Sequence, residues 1–400
     1  MRDRVAWTVT AVGAVGFVLL AWWLLPWNSA PDVSDVVATQ YFSPAHLQEA
    51  EAYSRRARLW SWSSLAVSLA WLVACACLRP FRRWLGRLRG PWWWTCVVAV
   101  VLVLAGQRLL TLPLGWMAWR NRVEYGISTQ GAGGWLRDVA VAWGTSTAVM
   151  ALVVLLVVGM RRRWPRWWTA IAGTVAAAAV VLGSWVYPVL VEPLSHDFEP
   201  LAEGELRDDI TSLAARSGVE VDEVLVADAS RRTTALNAWV SGFGSTRRVV
   251  LYDTLLEGVP REEVLAVVAH ELAHAKYHDV VLGTALGAFG AFAGVGLLGV
   301  VLSGRSDPVS RRPAAVVPCL LLLTALGLQV TAPVQNGISR QLERRADAQA
   351  LEWVGDPAPL VRLQVSLAER SLSDPTPPRW SQFMWGSHPT TLERIVAAEE

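Results

Sequence analysis

Residues 270–302 read HELAHAKYHDVVLGTALGAFGAFAGVGLLGVVL, so a polar motif with two histidines is followed closely by a long apolar run. The first five residues, from His270 to His274, match the pattern HExxH. Histidines four positions apart share one helix face, where both imidazoles can bind one metal ion. The apolar run from Val280 is long enough to cross a bilayer. This stretch predicts a metal site near a membrane surface. The alternative, two unrelated surface histidines, stays open.

The composition of the whole chain is that of a membrane protein. Hydrophobic residues make up 53% of the 400 residues and charged residues only 18%, which indicates several membrane spans rather than a soluble domain. Many of the 23 tryptophans stand at the ends of apolar runs, as expected for side chains at the membrane interface. The net charge of +2 gives no reason to expect a nucleic-acid partner. The four cysteines lie in or beside apolar runs, and their spacing predicts neither a disulfide nor a zinc site.

Seven apolar runs are long enough to span a bilayer. The first lacks a small-residue cleavage site and ends in tryptophan and proline, so we expect a retained span rather than a signal peptide. We therefore predict a mainly α fold, a seven-span membrane bundle carrying a small α+β domain. The five-span part is predicted over residues 1–188, and residues 189–400 would hold the metal site and two further spans. The runs are about 5–25, 61–78, 92–112, 139–160, 168–187, 280–302 and 314–333.

Two stretches, about 190–279 and 334–400, have the composition of soluble structure. The periodicity of the first stretch predicts two helices and two short strands. If the second of these helices ran straight into the sixth span, His274 would lie about 10 Å from the apolar run. The predicted helices are 203–217 and 260–278, and the predicted strands are 224–227 and 248–252.

A catalytic zinc ion needs a third protein ligand besides the two histidines, and two candidates follow in the sequence. His278 lies on the same helix face, but a line of three such residues is about 12 Å long, too long for one ion. We therefore interpret His278 as a supporting residue near the site. Glu343 and Asp347 lie four residues apart beyond the seventh span. Because two spans separate them from His274, both stretches return to the same side of the membrane.

These motifs together resemble the CAAX prenyl protease type 1 family of membrane zinc metalloproteases, which is related to bacterial heat-shock membrane proteases. The resemblance combines HExxH, two spans and the pattern SRxxExxAD over residues 339–347. It extends to the segments 230–256 and 387–395, and to residues 112–138 in the amino-terminal half. It therefore covers nearly the whole chain and implies a small zincin-like metalloprotease domain attached to the membrane bundle.

The resemblance implies one zinc ion per chain, bound by His270, His274 and Glu343, with Glu271 as general base and acid. Asp347 would orient a ligand histidine. For other residues a structural role stays open beside the functional one. Asn237 and Ala238 would belong to an edge strand that pairs with the substrate, although Asn237 alone reads as a turn residue. His388 would stabilise the reacting carbonyl or be an exposed loop residue. Arg394 would pair with an active-site carboxylate or lie on the surface.

The arginines predict an orientation in the membrane. They concentrate in residues 2–4, 79–89, 161–166 and 305–312, and seven spans place all four groups on one side. The positive-inside rule makes that side cytoplasmic. The metal site would then face outward at the cell membrane, although the eukaryotic prenyl proteases of the resembled family work on the cytosolic side.

The function we expect is hydrolysis of peptide bonds in membrane-associated, misfolded or lipid-modified (CAAX-like) proteins. A narrower processing role on one signal or lipid-modified peptide is compatible with the same residues. The alternative outside the enzymes is a non-catalytic membrane scaffold or sensor with a structural zinc ion. Glu271 argues against it, because a structural metal site needs no base. The expected partners are a protein or peptide substrate and membrane lipid, and the sequence gives no oligomeric state.

Overall fold

The structure is a computed structural model that describes residues 2–187, 192, 197–242, 247–303 and 312–400. Its amino-terminal half consists of helices: α1 (Arg2–Leu24), α2 (Pro44–Cys77), α3 (Arg79–Leu85), α4 (Trp92–Glu124), α5 (Ala132–Arg163) and α6 (Trp168–Val186). All but the short α3 are long and apolar enough to span a bilayer. They contain the first five predicted spans.

In the second half, the described residues up to Lys276 form a four-stranded mixed sheet and three helices. The elements in chain order are β1 (Phe198–Pro200), α7 (Glu205–Ser217), β2 (Glu223–Ala227), β3 (Ala238–Ser241), β4 (Arg248–Tyr252), α8 (Asp253–Leu256) and α9 (Arg261–Lys276). The sheet order is β1-β2-β4-β3, with β2 and β4 parallel and the other pairs antiparallel. The two helices and two strands predicted from periodicity agree with α7, α9, β2 and β4 to within two residues.

Two long helices then cross the membrane, and three shorter ones complete the chain. They are α10 (Asp279–Ser303), α11 (Val317–Val354), α12 (Pro357–Ser371), α13 (Arg379–Trp385) and α14 (Thr391–Glu399). Helix α11 has 38 residues and is about 57 Å long, roughly twice the hydrocarbon thickness of a bilayer. Its first half is the seventh span, and its second half extends beyond the membrane carrying Glu343. The observed elements confirm the predicted fold class.

The chain between α9 and α10 does not run straight, so the expectation of one helix from residue 260 into the sixth span is wrong. His278 adopts a φ of 54°, in the left-handed region that side chains other than glycine rarely occupy. The Tyr277 amide donates to Ala273 O and closes α9, and Leu282 donates to His278 O and opens α10. This break directs the chain into the membrane and makes Asp279 the first residue of the sixth span.

Spans α1 and α10 pack so closely that small residues are needed between them. A Cβ atom added to Gly296 would lie 2.5 Å from Thr10 N, and one added to Gly13 would lie 2.6 Å from Ala293 N. Close backbone approach at small residues is a common way for spans to pack in lipid. Helix α10 also packs against α6, and α2 packs against both α4 and α11. The last two spans are thus packed against spans of the first five.

The main core outside the spans lies between the sheet and α9. Val249 and Leu251 of β4 pack in one cluster with Val264, Val268 and Leu272 of α9, all at most 2% exposed. The apolar face of α9 is buried in this core, which fixes the direction of the histidines on the same helix. The predicted domain boundary after residue 188 and the basic residues Arg305 and Arg311 lie outside the described residues.

Candidate metal centre

Helix α9 carries His270, Glu271 and His274 near its carboxyl end. The helix begins after Pro260 and has Glu262 and Glu263 in its first turn, where negative charge suits the helix dipole. The two imidazole rings are edge to face with centroids 4.7 Å apart, and their Nε2 atoms are 3.1 Å apart. The spacing of four residues therefore does bring both rings to one point.

Glu343 reaches the same point from α11. Its Oε2 lies 3.3 Å from His270 Nε2, and its Oε1 lies 3.5 Å from His274 Nε2. Ligand atoms of the three residues all lie within 4.8 Å of one another, and no other such cluster of three occurs in the described part of the chain. Donors 2.0–2.2 Å from a tetrahedral zinc ion are separated from one another by roughly 3.3–3.6 Å. The observed separations are close to that range.

Each histidine is held by a carboxylate on its other ring nitrogen. His270 Nδ1 is 2.8 Å from Asp347 Oδ1, and His274 Nδ1 is 2.8 Å from Asp279 Oδ2. A proton on Nδ1 satisfies both carboxylates and leaves a lone pair on each Nε2. Glu343 Oε2, buried beside them, receives no hydrogen bond from the described residues. Three electron-pair donors facing one another fit a cation, because otherwise their lone pairs repel.

The two orienting carboxylates are themselves paired with arginines. Arg394 of α14 binds Asp347 with two bonds, Nη2 to Oδ1 at 2.6 Å and Nε to Oδ2 at 2.9 Å. Arg345 of α11 pairs with Asp279, and its guanidinium lies 4.3 Å from the centroid of the Tyr277 ring. Both carboxylates are therefore fixed in position by a neighbouring guanidinium.

The electric field at the site favours positive charge near the histidines. Burial opposes a charge on His270, but Asp347 and Glu343 outweigh it and raise the pKa of His270 to about 10. Burial raises the pKa of Glu271, an effect that the nearby histidines oppose. A carboxyl group with a raised pKa is suited to taking up a proton and returning it near neutral pH.

A cavity of about 50 Å³ lies beside Glu271 and His274 and reaches the sheet edge at Val240 and the exposed His278. This volume holds a few water molecules. His278 stands outside the three-residue cluster but lines this space. The geometry thus leaves room on one side of the histidines for water and part of a substrate.

Strand β3 forms the edge of the sheet facing this cavity. Tyr252 N donates to Asn237 O at 3.0 Å, so these two residues form a hydrogen-bonded pair at the start of the β3–β4 ladder. Because such pairs alternate in antiparallel strands, the main-chain groups of Ala238 and Val240 point away from β4. The two predicted residues therefore differ: Asn237 O bonds within the sheet, whereas the Ala238 main chain faces the side of β3 that no other described strand covers.

His388 reaches the centre from the segment between α13 and α14. Its Nε2 is 3.4 Å from Glu343 Oε1, and its Nδ1 is 2.9 Å from Ser387 Oγ. Burial lowers the pKa of His388, an effect that Glu343 opposes. Asn336 of α11 donates to Met384 O at 2.7 Å and so anchors the end of α13, just before this segment. His388 is more than half exposed, with 60% of its side chain accessible, so it faces the solvent side of the centre.

The sequence reasoning missed Asp279 and Arg345, although the structure places both at the centre. Asp279 stands at the amino end of a span, where an acidic residue is favoured by the helix dipole alone. Its distinguishing signal was its position five residues after His274, directly beyond the metal motif. Arg345 lies between Glu343 and Asp347 in the helical motif. Its role becomes evident only from its ion pair with the Asp279 carboxylate.

Comparison with known proteins identifies the family. Residues 200–400 match the family model "Peptidase family M48", and residues 28–196 match "CAAX prenyl protease N-terminal, five membrane helices". The chain is similar to "Uncharacterized metalloprotease YhfN" of Bacillus subtilis, with 29% identity over 379 residues covering 90% of this chain and 87% of the relative.

Other similar proteins support the same assignment. "CAAX prenyl protease 1 homolog" of Arabidopsis thaliana is 34% identical over 221 residues, which cover 54% of this chain and 52% of that protein. The crystal structure of S. mikatae Ste24p has the same fold, with a TM-score of 0.78 and 22% identity over 99% of both chains. Since the family model covers half of the chain and includes the metal centre, the chain belongs to peptidase family M48 and is a multi-span membrane zinc metalloprotease.

Proposed function

We propose that the chain is an endopeptidase in which His270, His274 and Glu343 bind one zinc ion and Glu271 transfers the protons. The observation that supports this most strongly is the convergence of three ligand atoms within 4.8 Å beside a cavity lined by Glu271. When bound, zinc would supply a Lewis acid that polarises the scissile carbonyl and activates water.

The residues around the ion would transfer the protons, stabilise the carbonyl oxygen and orient the metal ligands. Glu271 takes a proton from the attacking water and returns it to the leaving amine, which its raised pKa favours. His388 stands at the exposed side of Glu343, where it can donate a hydrogen bond to the carbonyl oxygen as negative charge develops. Asp347 and Asp279 hold the two imidazoles with Nε2 toward the centre.

The substrate would bind as an added strand along β3. The main-chain groups of Ala238 and Val240, which no other described strand covers, can pair with an extended peptide, and Val240 lines the cavity beside Glu271. Strand addition fixes a backbone through main-chain hydrogen bonds and makes few demands on its side chains. Asn237 would then act through its position at the start of the strand, not through its main-chain oxygen, which is bonded to Tyr252.

We propose membrane-associated, misfolded or lipid-modified proteins as substrates. Helix α13, which precedes His388, packs onto a span, since Trp380 and Trp385 lie 4.0 and 5.2 Å from Trp62 of α2, measured between ring centroids. A site beside the spans favours substrates that are themselves held at the membrane. The names of several relatives refer to CAAX prenyl proteases, which supports testing lipid-modified peptides first.

The arginine distribution supports an outward-facing centre. A reporter that works only outside the cytoplasm, fused after Glu400, should be active. Activity of a cytoplasm-only reporter at the same position would reverse the proposed orientation.

The function is tested by measuring zinc content and peptidase activity together on the purified full chain. We expect Glu271→Gln to keep zinc and lose turnover, Glu343→Ala to lose both, and His278→Ala to keep zinc. Wild-type protein that binds zinc yet cleaves neither casein nor a peptide library would instead support a scaffold with a structural metal. Proteins that accumulate in cells carrying Glu271→Gln would separate a broad quality-control protease from a narrow processing one.

A further inference from the structure

One face of α11 carries both a metal ligand and side chains that reach the end of α13. Asn336, Arg340 and Glu343 occupy positions i, i+4 and i+7 of α11, a spacing that places three side chains on one helix face. Glu343 contacts the two histidines of α9, and Asn336 donates to a main-chain oxygen near the end of α13. The same face can therefore fix both the ligand and the chain that follows α13, residues 386–390, which we call the His388 loop.

Arg340 binds the start of the His388 loop through one nitrogen. Its Nη1 donates to Gly386 O, in the first residue of the loop, and to Gln382 O at 3.2 Å. The Gly386 amide also donates to Gln382 O, at 3.0 Å. Basic side chains commonly bind carbonyl groups at the carboxyl end of a helix. The bonds from Arg340 thus set the direction in which the chain leaves α13.

The side chain of Gln382 holds the main chain of His388. Its Nε2 donates to His388 O at 2.7 Å. A Cβ atom added to Gly386 would lie 2.8 Å from Gln382 Nε2 and closer still to Cδ and Oε1 of the same side chain. Gly386 has φ −75° and ψ 101°, a conformation that other residues adopt readily. The space taken by the Gln382 amide, rather than the backbone conformation, therefore requires glycine at this position.

These bonds to the main chain decide where the His388 ring lies. The ring is 60% exposed, and its Nε2 is 3.4 Å from Glu343 Oε1. Its Nδ1 is 2.9 Å from Ser387 Oγ, which belongs to the same loop. A ring with this exposure depends on its loop for its position. Since a displacement of about 1 Å can cost about 10²-fold in rate, anchors of the loop bear on the reaction.

We propose that Arg340 and Gln382 are positioning residues, which hold the His388 ring beside Glu343 through the main chain of the His388 loop. Gly386 leaves room for the Gln382 amide. An effect of these residues on turnover rests on the proposed function, because it requires that His388 acts in the reaction. Their effect on the position of the ring does not.

The first test is a double-variant cycle on the purified full chain with zinc bound. Arg340→Gln, Gln382→Leu and Gly386→Ala are each made in the wild type and in His388→Ala. In the wild type each should lower kcat about tenfold, with little change in KM and with zinc content unchanged. In His388→Ala each should change kcat by less than about twofold, because the group that they position is gone. Arg379→Gln is the matched control, since Arg379 is exposed and lies one turn before Gln382 in α13. It should leave kcat unchanged in both backgrounds.

The second test follows the His388 ring and needs no turnover. Its signal is recorded by nuclear magnetic resonance on zinc-bound protein with isotope-labelled histidine, and it is assigned by its absence from His388→Ala. The signal should shift in Arg340→Gln, Gln382→Leu and Gly386→Ala and keep its wild-type position in Arg379→Gln. A shift in these variants, together with wild-type turnover in His388→Ala, would support the positioning and remove His388 from the reaction. If the wild type cleaves no peptide, the proposed function fails and the ring signal alone decides the positioning.

Three results would overturn the proposal. One is an unchanged His388 ring signal in all three variants. Another is an equal loss of kcat by Arg340→Gln in both backgrounds, which would show that the arginine acts independently of His388. The third is a rise in KM at unchanged kcat in Arg340→Gln, which would assign this residue to substrate binding. If Arg340→Gln does not fold, Gln382→Leu and Gly386→Ala decide by the same criteria.

Discussion

Replacing Asp279 by asparagine tests whether this residue, which lies outside the three-residue cluster, controls the metal through His274. The variant keeps an oxygen that can accept the Nδ1 proton of His274 but removes the negative charge 2.8 Å from that nitrogen. Loss of such an orienting partner typically costs 10–100-fold in metal affinity, which is about 1.4–2.7 kcal/mol. Because the hydrogen bond survives in Asp279→Asn, we expect about tenfold weaker zinc binding, and closer to 100-fold for Asp279→Ala.

The same substitution leaves Arg345 without its carboxylate partner, so a loss of stability must be separated from a loss of affinity. Asp279 is 7% exposed and Arg345 18% exposed by side chain, and a buried charge left unpaired is strongly destabilising. The double variant Asp279→Asn/Arg345→Gln removes both charges. It should recover much of the lost thermal stability and still bind zinc about tenfold more weakly than the wild type.

The assay is competition for zinc with a chelator of known affinity, followed on the full chain together with thermal unfolding. Glu263→Gln is the matched control, since Glu263 is a 3% exposed carboxylate on α9 that pairs with Arg362 and Ser366 but not with the metal cluster. It should lower stability and leave zinc affinity unchanged. Zinc binding by Asp279→Asn within twofold of the wild type would refute the reasoning, as would full recovery of affinity in the double variant.

Three further predictions concern catalysis. Glu271→Gln should bind zinc with wild-type stoichiometry and lower kcat by about 10²–10⁴-fold, because it removes the proton-transfer group; residual activity within tenfold would assign the base elsewhere. His388→Ala should lower kcat by about 10²–10³-fold with little change in KM, because its hydrogen bond would act in the transition state; a change in KM alone would make it a substrate-binding residue. Val240→Pro removes an outward-facing amide of β3 and should raise KM with zinc retained, and unchanged kinetics on long peptides would exclude strand addition at this edge.

The sequence predicts the parts of the centre that depend on local spacing. His270 and His274 lie on one helix face because four residues make about one turn, and that relation holds in any α-helix. Glu343 lies 69 residues beyond His274, yet the even number of intervening spans places it on the same side of the membrane. The apolar runs predict those spans from composition alone.

The remaining parts depend on a backbone conformation that no pattern specifies. His278 is in the left-handed region, and this single residue turns the chain so that Asp279 faces His274 instead of continuing along the face of α9. A helix running on past residue 276 would carry Asp279 away from the imidazole. The partner of Arg345 could not be inferred for the same reason, since it depends on where Asp279 lies.

The different main-chain roles of Asn237 and Ala238 could not be predicted from the sequence either. Resemblance of sequence indicates an edge strand, but only the register with β4 decides which main-chain groups are free. A shift of one residue would exchange the roles of the two neighbours.

The central claim, that two stretches separated by two spans meet at one zinc ion, is tested most directly by anomalous diffraction at the zinc edge from crystals of the full chain. We predict a single peak about 2.0–2.2 Å from His270 Nε2, His274 Nε2 and a carboxylate oxygen of Glu343. A zinc peak that lies beyond bonding distance of Glu343 would contradict it.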